Sequence, residues 1–210
     1  MVLIKIFKPV IESQFNKKNL GIGFGFFLLP FVLIIGAWSL FGFGVDFAGI
    51  GIAVVRELLF WILATVLIYL LLMAFKGKEV QGKFSSIMAA FPVIYLVNFI
   101  AAFSAILLVF ISIPGFFEKI ASLQGLNPSF EELVSVISSM ALPSQEIMLL
   151  IWLVLGLIGV FTFLINFSVF YRIGNLVKKT SVFSNLIFVI VFIGLSYLLN
   201  LLLSFIFGLI

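Results

Sequence analysis

The sequence predicts an all-α integral membrane protein, a bundle of five transmembrane helices with short amphipathic helices at the membrane interface. Two observations carry this prediction: the composition of the chain and the spacing of its charges. Of the 210 residues, 64% are hydrophobic and only 10% are charged, whereas a soluble domain carries about 25% charged residues. The chain is therefore too apolar for a water-soluble fold, and its length fits a single membrane domain over residues 1–210.

Charged residues divide the chain into long apolar runs, five of which are long enough, or nearly so, to cross a membrane. A helix needs about 20 apolar residues to cross a hydrocarbon core of about 30 Å. Helices satisfy their own backbone hydrogen bonds in lipid, and these runs are too long to be strands of a barrel. The predicted spans are residues 20–43, 58–75, 84–112, 147–171 and 181–207.

The basic residues predict the orientation of these spans. Ten of the twelve lysines and arginines fall in the N-terminal tail, in loop 76–83 and in link 172–179, whereas only Arg56 and Lys119 belong to the opposite side. Loops rich in lysine and arginine remain in the cytoplasm. We therefore expect a multi-pass protein of the cell membrane with a cytoplasmic N-terminus and an external C-terminus.

The stretch KGKEVQGKF, residues 76–84, places four charges and two glycines between the second and third spans. Gly82 is expected to permit a tight turn, because glycine tolerates backbone angles that other residues avoid. Lys76, Lys78 and Lys83 are expected to face anionic lipid headgroups at the cytoplasmic surface. The same three lysines are candidates for contact with a protein partner.

Two further segments are predicted to form amphipathic helices at the interface. In FKPVIESQFNKK, residues 7–18, apolar residues recur at helical spacing, which is typical of a helix lying on a leaflet. The second segment, 115–146, lies outside and contains Ser129 and Glu132 at the spacing of a capping box. We expect it to rest on the membrane or on the span ends. A lid over a cavity and a partner contact are the alternatives.

The glycine-rich stretch GIGFGF, residues 21–26, does not fit a phosphate-binding loop. It lies inside an apolar run, no strand precedes it, and no Lys-Ser or Lys-Thr pair follows it. Gly21 and Gly25 instead have the small-xxx-small spacing of a surface for close contact between membrane helices.

The residues needed for catalysis and metal binding are scarce in this chain. It has no histidine and no cysteine, and no predicted span contains an acidic or basic residue. Intramembrane catalysis needs paired acids, a histidine, or a serine with a base, and proton relays need ionisable groups within the spans. We therefore expect no catalytic, cofactor or metal site, and no enzyme. The net charge of only +4 gives no reason to expect nucleic-acid binding.

Three asparagines and two prolines are the remaining candidates within the spans. Asn98, Asn166 and Asn200 are the deep polar residues of the spans. The Asn98 amide, near the middle of the third span, cannot face lipid cheaply and is expected to bond another helix. Coordination of a translocated solute is the alternative role. Pro30 and Pro92 each remove a backbone hydrogen bond and should kink their helices, which opens a crevice or permits close packing.

A Phe-Lys-Pro start precedes the first span, and FKGKEVQGKFSSIMAAFP follows a short second span. A wide external loop then precedes the fourth span, and the basic link YRIGNLVKK leads into the fifth. This order resembles the Yip1 domain family of five-span membrane proteins. Its prokaryotic members have a glycine-containing loop, an aromatic residue and a proline after the second span, and Gly82, Phe84 and Pro92 stand at these places.

The resemblance implies a cytoplasmic N-terminus and a role in membrane organisation. Eukaryotic members of the family are membrane-trafficking adaptors that bind small GTPases and self-associate. Their long cytoplasmic N-terminal region has no counterpart in the roughly 19 residues before the first span, so GTPase binding is not implied here.

Two functions of different classes remain open. The first is a non-enzymatic scaffold or adaptor of the Yip1 type, whose partner beyond the bilayer is another membrane protein or a second copy of the chain. The second is a small-solute transporter or a lipid-handling protein with a cavity between kinked helices. An enclosed, polar-lined cavity would favour the second function, and a filled helix bundle would favour the first.

Overall fold

The computed structural model describes residues 2–40, 46–113, 115–116, 119, 144–177 and 181–208, and no strand occurs in these ranges. The helices are α1 (Val2–Lys17), α2 (Leu20–Leu40), α3 (Phe47–Lys76), α4 (Phe84–Ala90), α5 (Val93–Ser112), α6 (Gln145–Val177) and α7 (Val182–Gly208), with a 3₁₀ turn at Gly77–Val80.

Five helical segments among the described residues are long and apolar enough to cross a membrane, which confirms the predicted fold class. They are α2, α3, the pair α4–α5, α6 and α7. Large apolar side chains cover much of their outer surface, and Val32, Leu149 and Phe205 are each more than 60% exposed. Such a surface is unfavourable in water and suits the hydrocarbon of a bilayer.

The second span is longer than predicted, because α3 begins at Phe47 rather than near residue 58. The carboxylate of Asp46 starts the helix by accepting a hydrogen bond from the Gly49 amide at 3.0 Å. Arg56 and Glu57 lie outside the predicted span, but they belong to a continuous 30-residue helix. The helix of the second span therefore contains two charged residues that were predicted to lie in a loop.

The two prolines act differently on their helices. Pro30 lies within α2, which is assigned as one helix from Leu20 to Leu40. Pro92 lies at a break, where α4 ends at Ala90 and α5 begins at Val93. The Tyr95 amide bonds the Pro92 carbonyl at 2.9 Å and so restarts the helix. The chain is therefore broken between two helices at Pro92, whereas α2 continues through Pro30 and the predicted kink there stays a prediction.

The predicted link between the last two spans is mostly part of the fourth span. Helix α6 continues to Val177, so most of the predicted link 172–179 is helical. Helix α7 then runs from Val182 to Gly208. The predicted amphipathic segment 115–146 lies almost entirely outside the described residues, and so does its capping box.

The helices pack in a defined order around an aromatic core. Helix α5 lies between α2 and α6, α7 packs against both α6 and α3, and α1 lies across α4 and α6. Phe27 is a centre of the core: its ring is 5.7 Å from that of Trp61 and 5.3 Å, edge to face, from that of Tyr95. The rings of Phe170 and Phe192 continue the core between α6 and α7, with centroids 4.6 Å apart.

The core is concentrated at one end of the bundle. This end, called the basic end below, is where α3 ends, α4 begins, α6 ends and α7 begins. The buried residues of α5 all lie in its first five residues, and those of α6 lie at 169–177 apart from Ile151. The opposite end has few buried residues in the described helices, so the basic end supplies most of the packing.

Candidate functional site at the basic end

The turn between α3 and α4 has the tight geometry that its glycines predict. Gly77 and Gly82 adopt φ angles of +70° and +76°, in the left-handed region that favours glycine. The Lys83 amide bonds the Val80 carbonyl at 3.0 Å, and the Val80 side chain is fully buried beneath the turn. A Cβ atom on Gly82 would meet nothing within 4 Å, so the backbone angle alone requires glycine there.

The three lysines of this turn do not share one environment, and the prediction for Lys76 is wrong. Lys78 is exposed and Lys83 is partly exposed, whereas Lys76 is only 5% exposed. Lys76 continues the buried stripe of Ile68 and Leu72 at spacings of four residues, which is one face of a helix. That spacing is the sequence signal that places the Lys76 side chain inside the bundle and away from the headgroups.

The Lys76 ammonium is held by oxygen atoms of the last two spans. Its Nζ donates to the Gly174 carbonyl at 2.5 Å and to the Asn185 Oδ1 at 2.7 Å. The Asn185 Nδ2 in turn donates to the Asn175 Oδ1. These four residues, Lys76, Gly174, Asn175 and Asn185, are called the Lys76 cluster below, and they join the ends of three spans.

The cluster places a positive charge where helix geometry favours one. Gly174 belongs to the last turn of α6, whose carbonyls lack partners within the helix. A lysine near a helix C-terminus bonds these carbonyls and interacts favourably with the helix dipole. The lack of a side chain at Gly174 also leaves room for Asn185, because a Cβ there would be only 3.2 Å from Asn185 Oδ1. This arrangement suits a structural lock between helices.

Helix α1 covers the same end and is held by an ion pair. Its apolar face buries Ile11 and Phe15 against the bundle, while Arg172 of α6 donates to the carboxylate of Glu12. The predicted amphipathic helix is therefore present, but part of its apolar face packs against the protein and does not face lipid. Sequence periodicity identifies the apolar face and does not tell which surface covers it.

Two of the three asparagines singled out in the sequence are brought together between α5 and α6. Asn166 Nδ2 donates to Asn98 Oδ1 at 2.9 Å, so each amide has the interhelical partner that its place in a span requires. The Asn166 Oδ1 is buried and has no hydrogen-bond partner within the part of the chain that the structure describes.

The other motif residues pack around the turn and the break. Phe84 is the first residue of α4, and its ring meets that of Tyr69 edge to face at 5.5 Å. Within the chain, the glycine of α2 that lies close to another helix is Gly23 rather than Gly21 or Gly25. A Cβ on Gly23 would lie 3.4 Å from Pro92 Cγ, whereas one on Gly25 would meet nothing within 4 Å.

A second cation of α3 binds α7 at the opposite end of the bundle. Arg56 donates to Asn200 Oδ1 and to Ser204 Oγ, both at 2.7 Å, and it lies 3.5 Å from the carboxylate of Glu57. We call Arg56, Asn200 and Ser204 the Arg56 clamp. The sequence singled out Asn200 as a deep polar residue but gave no partner for it, because Arg56 was assigned to a loop.

Comparison with known proteins identifies no relative of this chain. No family model, no curated protein and no solved structure matches the chain.

Proposed function

We propose that this chain is a non-enzymatic membrane scaffold or adaptor of the Yip1 type, with its basic end in the cytoplasm. The observation that carries the proposal is the construction of the basic end. Three spans meet there in the Lys76 cluster, α1 is tied across them, and the turn at 77–83 stands on the buried Val80. Such an end is a rigid platform, and rigid platforms suit the presentation of a fixed surface to a partner.

The cavity between α2 and α5 gives no support to a path for a polar solute. A transport path needs polar groups that replace the hydration of the solute. This cavity has a volume of about 640 Å³ and is lined by apolar residues such as Leu33, Phe99 and Phe103. This lining suits lipid chains and offers no ligand for a polar solute.

The orientation is tested by single cysteines, which report cleanly because the chain has none of its own. Lys78→Cys and Ser144→Cys introduce a thiol at an exposed position at each end of the bundle. In intact cells, a membrane-impermeant maleimide should label the Ser144→Cys protein and not the Lys78→Cys protein. Labelling of Lys78→Cys before permeabilisation would contradict a cytoplasmic basic end.

The scaffold role is tested by site-specific photo-crosslinking from the same turn. A crosslinking amino acid at position 78 should give a defined protein adduct, which mass spectrometry identifies as a partner or a second copy. The same amino acid at position 161, an exposed apolar site on α6, is the matched control and should give lipid adducts. Lipid adducts alone at both positions would overturn the scaffold proposal.

A further inference from the structure

A second cavity lies at the basic end, between α1 and the α6–α7 hairpin. Its volume is about 450 Å³, within the range of ligand sites in proteins. The lining divides into a polar and an apolar part. Lys8, Arg172 and Asn175 contribute polar groups, and Phe7, Ile165, Phe167, Val169 and Leu186 are among the apolar residues.

The polar and apolar residues follow one another along α6 as the layers of a membrane do. Arg172 ends the uncharged run 147–171 and so marks the level of the headgroups. Ile165 precedes it by seven residues, or about 10 Å along a helix. The cavity thus extends from the headgroup level into the level of the acyl chains.

The polar part of the cavity has an excess of positive charge. Arg172 forms an ion pair with Glu12. Lys8 is exposed on the rim and adds a second cation. The Nε of Arg172 is buried and has no hydrogen-bond partner among the described residues. The Arg172 side chain is nevertheless 33% exposed, and an arginine can bond a carboxylate and a phosphate at the same time through its five donors.

We propose that this cavity binds one anionic glycerophospholipid from the leaflet at the basic end. Its phosphate would bond Arg172 and lie beside Lys8, and an acyl chain would lie along α6 between Ile165 and Leu186. An anionic headgroup fits the net positive rim. A free phosphate would leave the apolar part of the cavity unfilled, whereas an acyl chain would fill it. The site is separate from the 77–83 turn and does not depend on the proposed scaffold function.

The proposal is tested by lipid retention. The full-length protein is reconstituted in nanodiscs with equal amounts of phosphatidylglycerol and phosphatidylcholine, extracted in mild detergent and examined by native mass spectrometry. We expect one retained phosphatidylglycerol per chain. Lys8→Gln should reduce its retention about fivefold, because one lysine near the surface is worth about 1 kcal/mol. Lys78→Gln removes the same charge from an exposed site outside the cavity and should have no such effect.

A second pair of variants tests the apolar part without changing any charge. Leu186→Trp fills the cavity and should abolish retention, whereas Leu195→Trp on the exposed surface of the same helix should leave it unchanged. Equal losses for Lys8→Gln and Lys78→Gln would reduce the effect to general surface charge and overturn the proposal. Normal retention by Leu186→Trp, equal retention of phosphatidylcholine, or equal thermal stabilisation by inorganic phosphate would also overturn it.

Discussion

Helix α3 carries a cation near each end of its contact with α7, and the two cations are used differently. Lys76 is 5% exposed and bonds oxygens from two helices, whereas the Arg56 side chain is 27% exposed and bonds one helix. A buried cation loses its hydration and depends on the protein for its hydrogen bonds, while an exposed one can return to water or headgroups. The same kind of contact should therefore contribute more at the basic end.

Removing an acceptor of the buried cation should have the largest effect. Asn185→Leu takes one oxygen from the Lys76 ammonium, and a hydrogen bond to a charged group contributes about 1.5–3 kcal/mol. We expect a loss of about 2 kcal/mol in the free energy of unfolding, measured in mixed lipid–detergent micelles. Adding Lys76→Met should recover part of this loss, because neighbouring sites of one network are coupled. If the double variant instead lost the sum of the losses of Asn185→Leu and Lys76→Met alone, the bond between the two side chains would be energetically unimportant.

A smaller loss is expected from the turn that follows Lys76. Gly82→Ala forces an alanine into the left-handed region at φ +76°, which costs about 1–2 kcal/mol. Gly194→Ala is the matched control, because both glycines have open space around them and only Gly82 has a positive φ. Equal unfolding free energies for the two variants would show that the basic end does not depend on this turn.

The Arg56 clamp should contribute less than the Lys76 cluster. We expect Asn200→Leu to lower the free energy of unfolding by about 1 kcal/mol or less, because partly exposed polar contacts are weak. This value is to be measured beside Asn185→Leu under the same conditions. A loss at Asn200 equal to that at Asn185 would remove burial as the cause of the difference between the two ends.

The smallest effect is expected where no charge is involved. Asn98 and Asn166 form one amide–amide bond between α5 and α6, and such bonds in membrane proteins contribute about 0.6 kcal/mol on average. Replacing both by Leu should therefore change the unfolding free energy by less than about 1 kcal/mol. A loss as large as that of Asn185→Leu would place uncharged contacts on the same scale as the buried cation.

The sequence predicted the fold well because a membrane imposes simple rules on length and composition. A run without charges must be helical in lipid, so five spans follow from the positions of the charged residues. The boundaries were less predictable, since a charge can lie within a helix when it finds a partner. Arg56 does so through Asn200 and Ser204, which lie 144 and 148 residues away in the chain.

The candidate site was only partly predictable for the same reason. Gly82 acts locally, and its positive φ follows from a turn that the sequence shows directly. The environment of Lys76 depends on Gly174 and Asn185, which come from spans distant in the chain. A local pattern gives the charge of a loop but does not tell which lysine faces inward, although the four-residue spacing from Ile68 and Leu72 indicates it.

The ion pair between α1 and α6 has a consequence for the order of assembly during synthesis. Glu12 and Arg172 are separated by 160 residues, so α1 cannot reach its final place until the fourth span has left the ribosome. At roughly 5–20 residues per second, about 8–30 s pass before α1 can pack on α6, although α4 becomes available to it earlier. During that interval the lipid surface is the natural cover for α1, and docking on α6 then exchanges lipid for protein as one of the last steps of folding.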